Sequence, residues 1–271
     1  MNVFIPSYGR AGRVTTLAML PPHVISVLCV RQSQAKAYRD AYRNTSHANY
    51  GIEILIIPDK YKGIAGARTW ICRVALRRKL PVIAMLDDDM IGGWFYKKDS
   101  RKFGGLKKAT PEQVNHIWKY HEKMALRYGE LYREGYAISL SDRRILAYGR
   151  PKIPPSGIKI GLIGRCIILN TRAMQTAQFT INACEDVEST LAWLKAGVMC
   201  GQDIHFGHGG HKEWARSKEA GGVGALRAKQ VNLKTQNHRR LMKLFPGIVG
   251  YTSTGKERTS YWTAAKMGGL V

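Results

Sequence analysis

The chain has 271 residues, 45% of them hydrophobic, which suits one sizeable core in a single large domain or a domain with an extension. It carries 43 Lys and Arg against 19 Asp and Glu, a formal charge of +24, and self-repulsion of that size suits a polyanionic partner, nucleic acid before an anionic membrane surface. The five cysteines show no paired metal or disulfide spacing, no apolar run approaches a membrane span, and the start MNVFIPSYGR lacks a signal-peptide pattern, so a soluble cytoplasmic protein, neither secreted nor membrane-bound, is expected.

The first 90 residues alternate between strand-like and helix-like stretches. NVFIP (2–6) reads as a strand and VTTLAML (14–20) as a short helix; VISVLCV (24–30) is a strand and SQAKAYRDAYR (33–43) a helix. GIEILIIP (51–58), GARTWICRVALRR (66–78) and PVIAML (81–86) continue the pattern as strand, helix and strand. Short β-branched runs alternating with helices predict an α/β domain with a mostly parallel, Rossmann-like sheet. In such a sheet ligands bind beyond the carboxyl ends of the strands, where PSYGR follows strand one and DDDM follows strand four.

Residues 97–108 are rich in glycine and lysine and read as a mobile loop. A helix then starts with Thr110 as N-cap, Pro111 at N1 and Gln113 at N3, and its apolar face runs to about Glu134. YAISL (136–140) and IKIGLIGRCIILN (158–170) read as strands, and CEDVESTLAWLKAG (184–197) as an acidic-headed helix stopped by Gly197. A last strand over 198–206 leads into HFGHGGHK, and a helical stretch near 224–244 precedes an unassigned tail. Residues 209–271 carry 12 Lys and Arg against 3 Asp and Glu.

Three groups of residues carry chemistry. Asp87, Asp88 and Asp89 repel one another where a buried strand emerges, and a cation relieves that repulsion. Oxygen ligands suit Mg²⁺ or Mn²⁺, and alternation along an extended segment turns Asp87 and Asp89 the same way. A solvated acidic turn is the plainer alternative. Glu185 and Asp186 open a helix, where carboxylates are favoured for electrostatic reasons alone; the functional alternative is a general base. His205, His208 and His211 lie among glycines, suited either to one imidazole in a mostly oxygen-liganded site or to phosphate contact.

In this order the motifs resemble a GT-A glycosyltransferase: IPSYGR after strand one, GIAGARTW (63–70) opening a helix, LDDDM, then the Glu-Asp helix and a histidine-containing strand end. IPSxGR, the YKK…GGL segment and FGHGGHKEWARSKEAGGVG resemble more closely the TET/JBP-associated glycosyltransferases, which include base J glucosyltransferases and phage enzymes acting on 5-hydroxymethylpyrimidines in DNA. The resemblance spans residues 2 to about 224, dividing the chain into a domain over 1–224 (donor half 1–95, acceptor half 96–224) and a basic extension over 225–271.

The resemblance implies an inverting transferase with a nucleotide-sugar donor, UDP-glucose or similar, and Mn²⁺ or Mg²⁺ on its diphosphate. Pro6, Ser7, Tyr8 and Arg10 would hold the nucleotide base, Arg68 the uracil or diphosphate, and Asp87 the ribose or sugar, with Asp88 beside it. Asp87 and Asp89 would ligate the metal with His208, or His205 in its place, and Gly221 and Gly222 would hinge a flap over the donor. Asp186 would take the acceptor proton. The acceptor would be DNA containing 5-hydroxymethylcytosine or 5-hydroxymethyluracil, with Lys97, Lys98, Arg101, Lys102, Lys107 and Lys108 on its phosphates and no obligatory protein partner. For a phage-encoded enzyme the host cytoplasm is the compartment. Three other readings compete: a GT-A transferase acting on a saccharide or protein, a metal-dependent nuclease, and a non-catalytic DNA-binding module.

Overall fold

A computed structural model describes residues 1–43, 52–97, 105–131, 133–142, 158–182, 184–209 and 233–270. The first half consists of β1 (Asn2–Pro6), β2 (Ile25–Arg31), α1 (Ala35–Tyr42), β3 (Ile52–Ile57), α2 (Gly63–Arg77), β4 (Val82–Leu86), β5 (Trp94–Lys97), β6 (Leu106–Lys108) and α3 (Pro111–Glu130). It continues through β7 (Tyr136–Asp142), β8 (Ile158–Lys159), β9 (Cys166–Asn170), α4 (Thr171–Thr176), α5 (Glu185–Lys195) and β10 (Met199–His208). The carboxyl-terminal part holds α6 (Leu233–Leu244), β11 (Val249–Tyr251), β12 (Glu257–Thr259) and α7 (Tyr261–Met267).

One sheet organises the chain in the order β3-β2-β1-β4-β9-β7-β10-β5-β6, with β8 beside β10. The quartet β3-β2-β1-β4 is parallel, as the alternation of strands and helices predicts. Beyond it β9 runs antiparallel between β4 and β7, β10 pairs in parallel with β7, and β5 and β6 close the edge antiparallel. Strands buried on both faces, such as Val82–Leu86 and Cys166–Asn170, are continuous apolar runs because helices cover each side. One face packs α1 and α3 around Tyr38, Trp94 and Trp118. The other packs α2, α4, α5 and the carboxyl-terminal elements around Ile71, Trp193, Leu241 and Phe245.

Local chemistry accounts for the boundaries. The capping box of α3 forms as expected: Thr110 Oγ1 accepts from the Gln113 N–H, and the Gln113 side chain accepts from the Thr110 N–H. Loss of such a cap costs about 1 kcal/mol. Gly197 leaves α5 at φ 70°, the left-handed conformation that stops a helix. Elsewhere the structure differs from expectation. The stretch 14–20 contains a 3₁₀ turn, Thr15–Met19, rather than an α-helix. The expected strand 158–170 divides into β8 and β9, with Gly161 and Gly164 in the break, where a missing side chain weakens a strand. Within the expected loop 97–108, Lys97 ends β5 and Leu106–Lys108 forms β6. No helix among the described residues is long and apolar enough to cross a membrane.

Candidate active site

The carboxyl ends of β1 and β4 lie side by side because the two strands pair in parallel. The chain leaves β1 at the buried Pro6 and enters the loop Ser7–Arg10, with Gly9 at φ 69° allowing the turn. Tyr38 of α1 holds this loop: its hydroxyl lies 2.7 Å from Ser7 Oγ and accepts from the Arg10 N–H at 3.0 Å. Ser7 Oγ donates to Asp88 Oδ2 at 2.5 Å, and the buried Arg10 guanidinium pairs with Asp88 and lies 3.5 Å from Asp89. The loop after strand one and the aspartates after strand four are thus one unit. Tyr8 stands away from it, 54% exposed.

The three aspartates leave β4 in a turn, so strict two-fold alternation does not persist through them. Burial pushes Asp88 up to about 6 and raises Asp89, opposed by Arg10 in both, with Asp87 adding like-charge repulsion to Asp89. Asp87 has cationic partners of its own. Its Oδ1 accepts from Arg68 Nη2 at 2.9 Å, and its Oδ2 lies 4.0 Å from Arg165 Nε. Arg68, 4% exposed on α2, also reaches Glu185 Oε1 at 3.2 Å. This guanidinium joins the carboxylates after β4 to those opening α5. The two acidic motifs share one site.

The acids at the head of α5 have separate roles. Glu188 accepts from the Thr180 and Ile181 N–H groups, at 2.6 and 2.9 Å, and anchors the loop before the helix. Glu185 pairs with Arg68, and burial, together with the neighbouring Asp186 charge, pushes it up to about 7 against the pull of that guanidinium. Burial also raises Asp186, opposed first by Arg68. Asp186 Oδ1 accepts from the adjacent Val187 N–H at 2.8 Å, and among the described residues Asp186 is the one acid of the three whose side chain is not tied to another element.

The end of β10 approaches from the other side. Opposite β7 the strand carries a bulge between Gln202 and Gly207, organised by the buried Asp203. Asp203 Oδ1 accepts from the His205 and Phe206 N–H groups at 2.6 and 2.8 Å; its Oδ2 lies 2.9 Å from His121 Nε2, and His121 Nδ1 lies 2.7 Å from the Tyr136 hydroxyl. After the bulge β10 resumes, and His208, 1% exposed, pairs with Trp94 of β5 and Asp142 of β7. The next residue, Gly209, donates its N–H to the Gly93 carbonyl at 2.9 Å, and a Cβ on it would meet the Ile91 carbonyl oxygen at 2.6 Å. Only glycine permits that approach between the strand end and the turn after the aspartates.

Among the described residues no three His, Cys, Asp or Glu side chains converge as a closed metal set. Asp87 and Asp89 supply two carboxylates that repel one another, a repulsion Arg10 and Arg165 offset in part, and this donor set fits a hard divalent ion completing its shell with phosphate oxygens and water. Lys107 and Lys108 are exposed on β6, and Lys97 ends β5. Lys98, Arg101, Lys102, His211, Gly221 and Gly222 lie outside the described residues. Sequence reasoning missed Tyr38, Arg165 and the His121–Asp203 pair. It also placed Arg68 on the donor without its two carboxylate partners. Tyr38 and Tyr42 stand one turn apart on α1, a visible signal; His121 and Asp203 have none, because only the tertiary fold brings them together.

A family model described as TET-Associated Glycosyltransferase matches residues 1–221. The beta-glucosyl-HMC-alpha-glucosyl-transferase of Enterobacteria phage T6 is 34% identical over 125 residues, which are 44% of this chain and 40% of that protein. Its counterpart in Enterobacteria phage T2 is 33% identical with the same coverage. The match spans about 40% of the length of these curated relatives. Among solved structures, S. aureus TarS 1-349 has a TM-score of 0.41 at 14% identity, covering 77% of this chain and 60% of that one. CMP:2-keto-3-deoxy-manno-octonic acid synthetase with CTP has a TM-score of 0.41 at 11% identity, covering 84% and 98%. At these values the two structures say nothing of substrate. The match over 1–221 does establish kinship: the chain belongs to the TET-associated glycosyltransferase family.

Proposed function

We propose that the chain transfers a sugar from a nucleotide-sugar, a UDP-sugar such as UDP-glucose, to the hydroxyl of a 5-hydroxymethylpyrimidine in DNA. The observation that carries this reading is the Arg68 bridge, which sets the Asp87 carboxylate and the Glu185–Asp186 helix start around one buried cation in a member of a glycosyltransferase family. The names of the phage relatives and the charge of +24, which suits a polyanion, support the choice of acceptor.

In this reading Ser7 and Tyr8 border the nucleotide, and Arg10 holds Asp88 and Asp89 in place rather than binding the base. Asp87 and Asp89 would hold Mn²⁺ or Mg²⁺, with His208 at the strand end as the third candidate ligand. The chemistry such an ion would supply there is stabilisation of the negative charge on a departing diphosphate. Asp186 takes the proton of the acceptor hydroxyl as its oxygen bonds to the anomeric carbon. The bond from that carbon to the diphosphate breaks, and the nucleoside diphosphate leaves with the electron pair. Burial raises the proton affinity of Asp186, and the Arg68 guanidinium opposes that rise.

Attack from the face opposite the leaving group inverts the anomeric centre. The α-glucosyl designation of the phage relatives supports a second reading, retention from an α-linked donor onto a base that already carries glucose. Both readings meet one experiment. DNA containing 5-hydroxymethylcytosine, 5-hydroxymethyluracil or β-glucosylated 5-hydroxymethylcytosine is incubated with a panel of nucleotide sugars and Mn²⁺, then digested to nucleosides. Mass spectrometry finds one added sugar, and the coupling constant of the anomeric proton reads its configuration. No added sugar on any of these DNAs with any donor overturns the proposal.

A further inference from the structure

The family match ends at residue 221, yet α6, the β11–β12 hairpin and α7 are built into the core. Leu241, Phe245, Ile248, Val249, Ala264 and Ala265 are buried in the same cluster as Leu191 and Leu194 of α5. Gly268 lies so close to the Leu194 carbonyl and Gly197 that a Cβ there would collide with both. Two contacts tie the segment to the candidate active site. Asn237 of α6 donates its side-chain N–H to the Asn182 carbonyl at 2.9 Å, three residues before Glu185, while Asn182 Oδ1 accepts from the Ala65 N–H of α2 at 3.1 Å. Tyr261 opens α7 near enough to Asp186 for that carboxylate, after burial, to raise the tyrosine hydroxyl.

Helix α6 buries Asn237, His238 and Leu241 against this base. Its outward face exposes Arg239, Arg240 and Lys243, within two turns of Asn237. Arg239 and Lys243 stand one turn apart with Arg240 beside them, a row of cations on a rigid rod. Such a row stabilises nothing by folding, since like charges on neighbouring turns repel. Its spacing suits the phosphates of a nucleic-acid backbone, which neutralise it.

We propose that the exposed face of α6 is a phosphate-binding surface for the acceptor DNA, fixed through Asn237 and Asn182 to the loop that delivers Glu185 and Asp186. The surface lies beyond residues 1–221, which the family model matches. The proposal rests on the reading of DNA as acceptor and adds which part of the chain holds it.

The test compares two triple variants of equal charge change. Arg239→Gln/Arg240→Gln/Lys243→Gln removes the α6 face. Lys36→Gln/Arg39→Gln/Arg43→Gln removes three exposed cations from and beside α1, across the sheet. All six side chains are exposed, so both variants should melt like the wild type; if the α6 triple does not, the single variant Arg240→Glu replaces it. Fluorescence anisotropy with a hydroxymethylcytosine duplex between about 50 and about 200 mM salt gives the slope of log K against log salt. Loss of three phosphate contacts lowers that slope by about 2.7. The α6 variant should show this drop and a loss of affinity of at least roughly tenfold at the lower salt, with UDP-sugar binding unchanged. The α1 variant should show neither.

An unchanged slope in the α6 variant overturns the proposal, as does an equal drop in both variants, which would be a general charge effect. A drop in binding to phosphatidylglycerol vesicles with DNA binding unchanged overturns it in favour of a membrane surface. A wild-type protein that binds duplex with the expected slope but transfers no sugar to it would leave the surface standing and overturn the functional reading instead.

Discussion

Replacing Arg68 with Met removes the cation that joins the two acidic motifs while keeping most of the side-chain volume. Asp87 and Glu185, with Asp186 beside them, then keep their burial without the guanidinium now 2.9 and 3.2 Å from the first two. Breaking a buried ion pair by removing one partner costs about 3–5 kcal/mol when the remaining charges stay ionised. At roughly 2–4 °C per kcal/mol for a domain of this size, that is a fall in Tm of about 6–20 °C. The loss depends on pH in a known direction. Burial already pushes Glu185 up to about 7, and without Arg68 it rises further. A carboxyl whose folded value lies above its unfolded value favours the folded state below the unfolded value and loses that contribution as pH rises through the folded one. The difference between wild type and variant is therefore largest above about pH 8, where wild-type Glu185 is ionised, and shrinks toward pH 5. Urea unfolding at both pH values measures it, with Arg68→Lys retaining part of the charge and Arg68→Met/Glu185→Gln recovering part of the stability. Equal destabilisation at the two pH values would show that Arg68 contributes packing and not charge, and the bridge between the two motifs would lose its basis.

Other outcomes follow from the same geometry. Glu185→Gln removes a like charge beside Asp186 and should move the acidic limb of kcat/KM to lower pH, because the general base must be ionised and its neighbour no longer opposes ionisation; an unmoved limb separates the two carboxylates. Asp203→Ala leaves buried His121 and two bulge N–H groups without their acceptor and should cost about 2–4 kcal/mol, with weaker Mn²⁺ affinity if His208 is a ligand; His208→Ala with unchanged affinity excludes that role. Asp89→Ala should abolish the metal dependence of UDP-sugar binding in calorimetry while the fold persists. If donor binds equally with and without Mn²⁺ in both proteins, the metal assignment fails.

The parallel quartet was legible because β1 to β4 are short runs of Val, Ile and Leu separated by helical stretches with one apolar face. The aspartates and the Glu-Asp helix were legible as motifs, and the resemblance drew them together. The cation between them was not. Arg68 sits in a helix whose other buried residues are Ala, Ile, Cys and Val, and nothing local marks it as a partner of Glu185, which arrives from a distant part of the chain. The β10 bulge was hidden for the same reason: Asp203 takes its meaning from His121 in α3, and strand periodicity alone runs straight through it. Short elements were the weakest reading. The β11–β12 hairpin and α7 have three to seven residues each and owe their form to contacts such as Gly268 against Leu194, which propensity does not anticipate.

The most direct measurement is a single-turnover transfer assay with Asp186→Asn, using hydroxymethylated duplex, UDP-sugar and Mn²⁺, with binding of donor and DNA measured on the same preparation. With Asp186 as the base, the variant binds both substrates as the wild type does, and transfer falls by about 10²–10⁴-fold, the range general-base catalysis supplies. Transfer at the wild-type rate by a variant that is folded and fully bound would contradict the account at its centre.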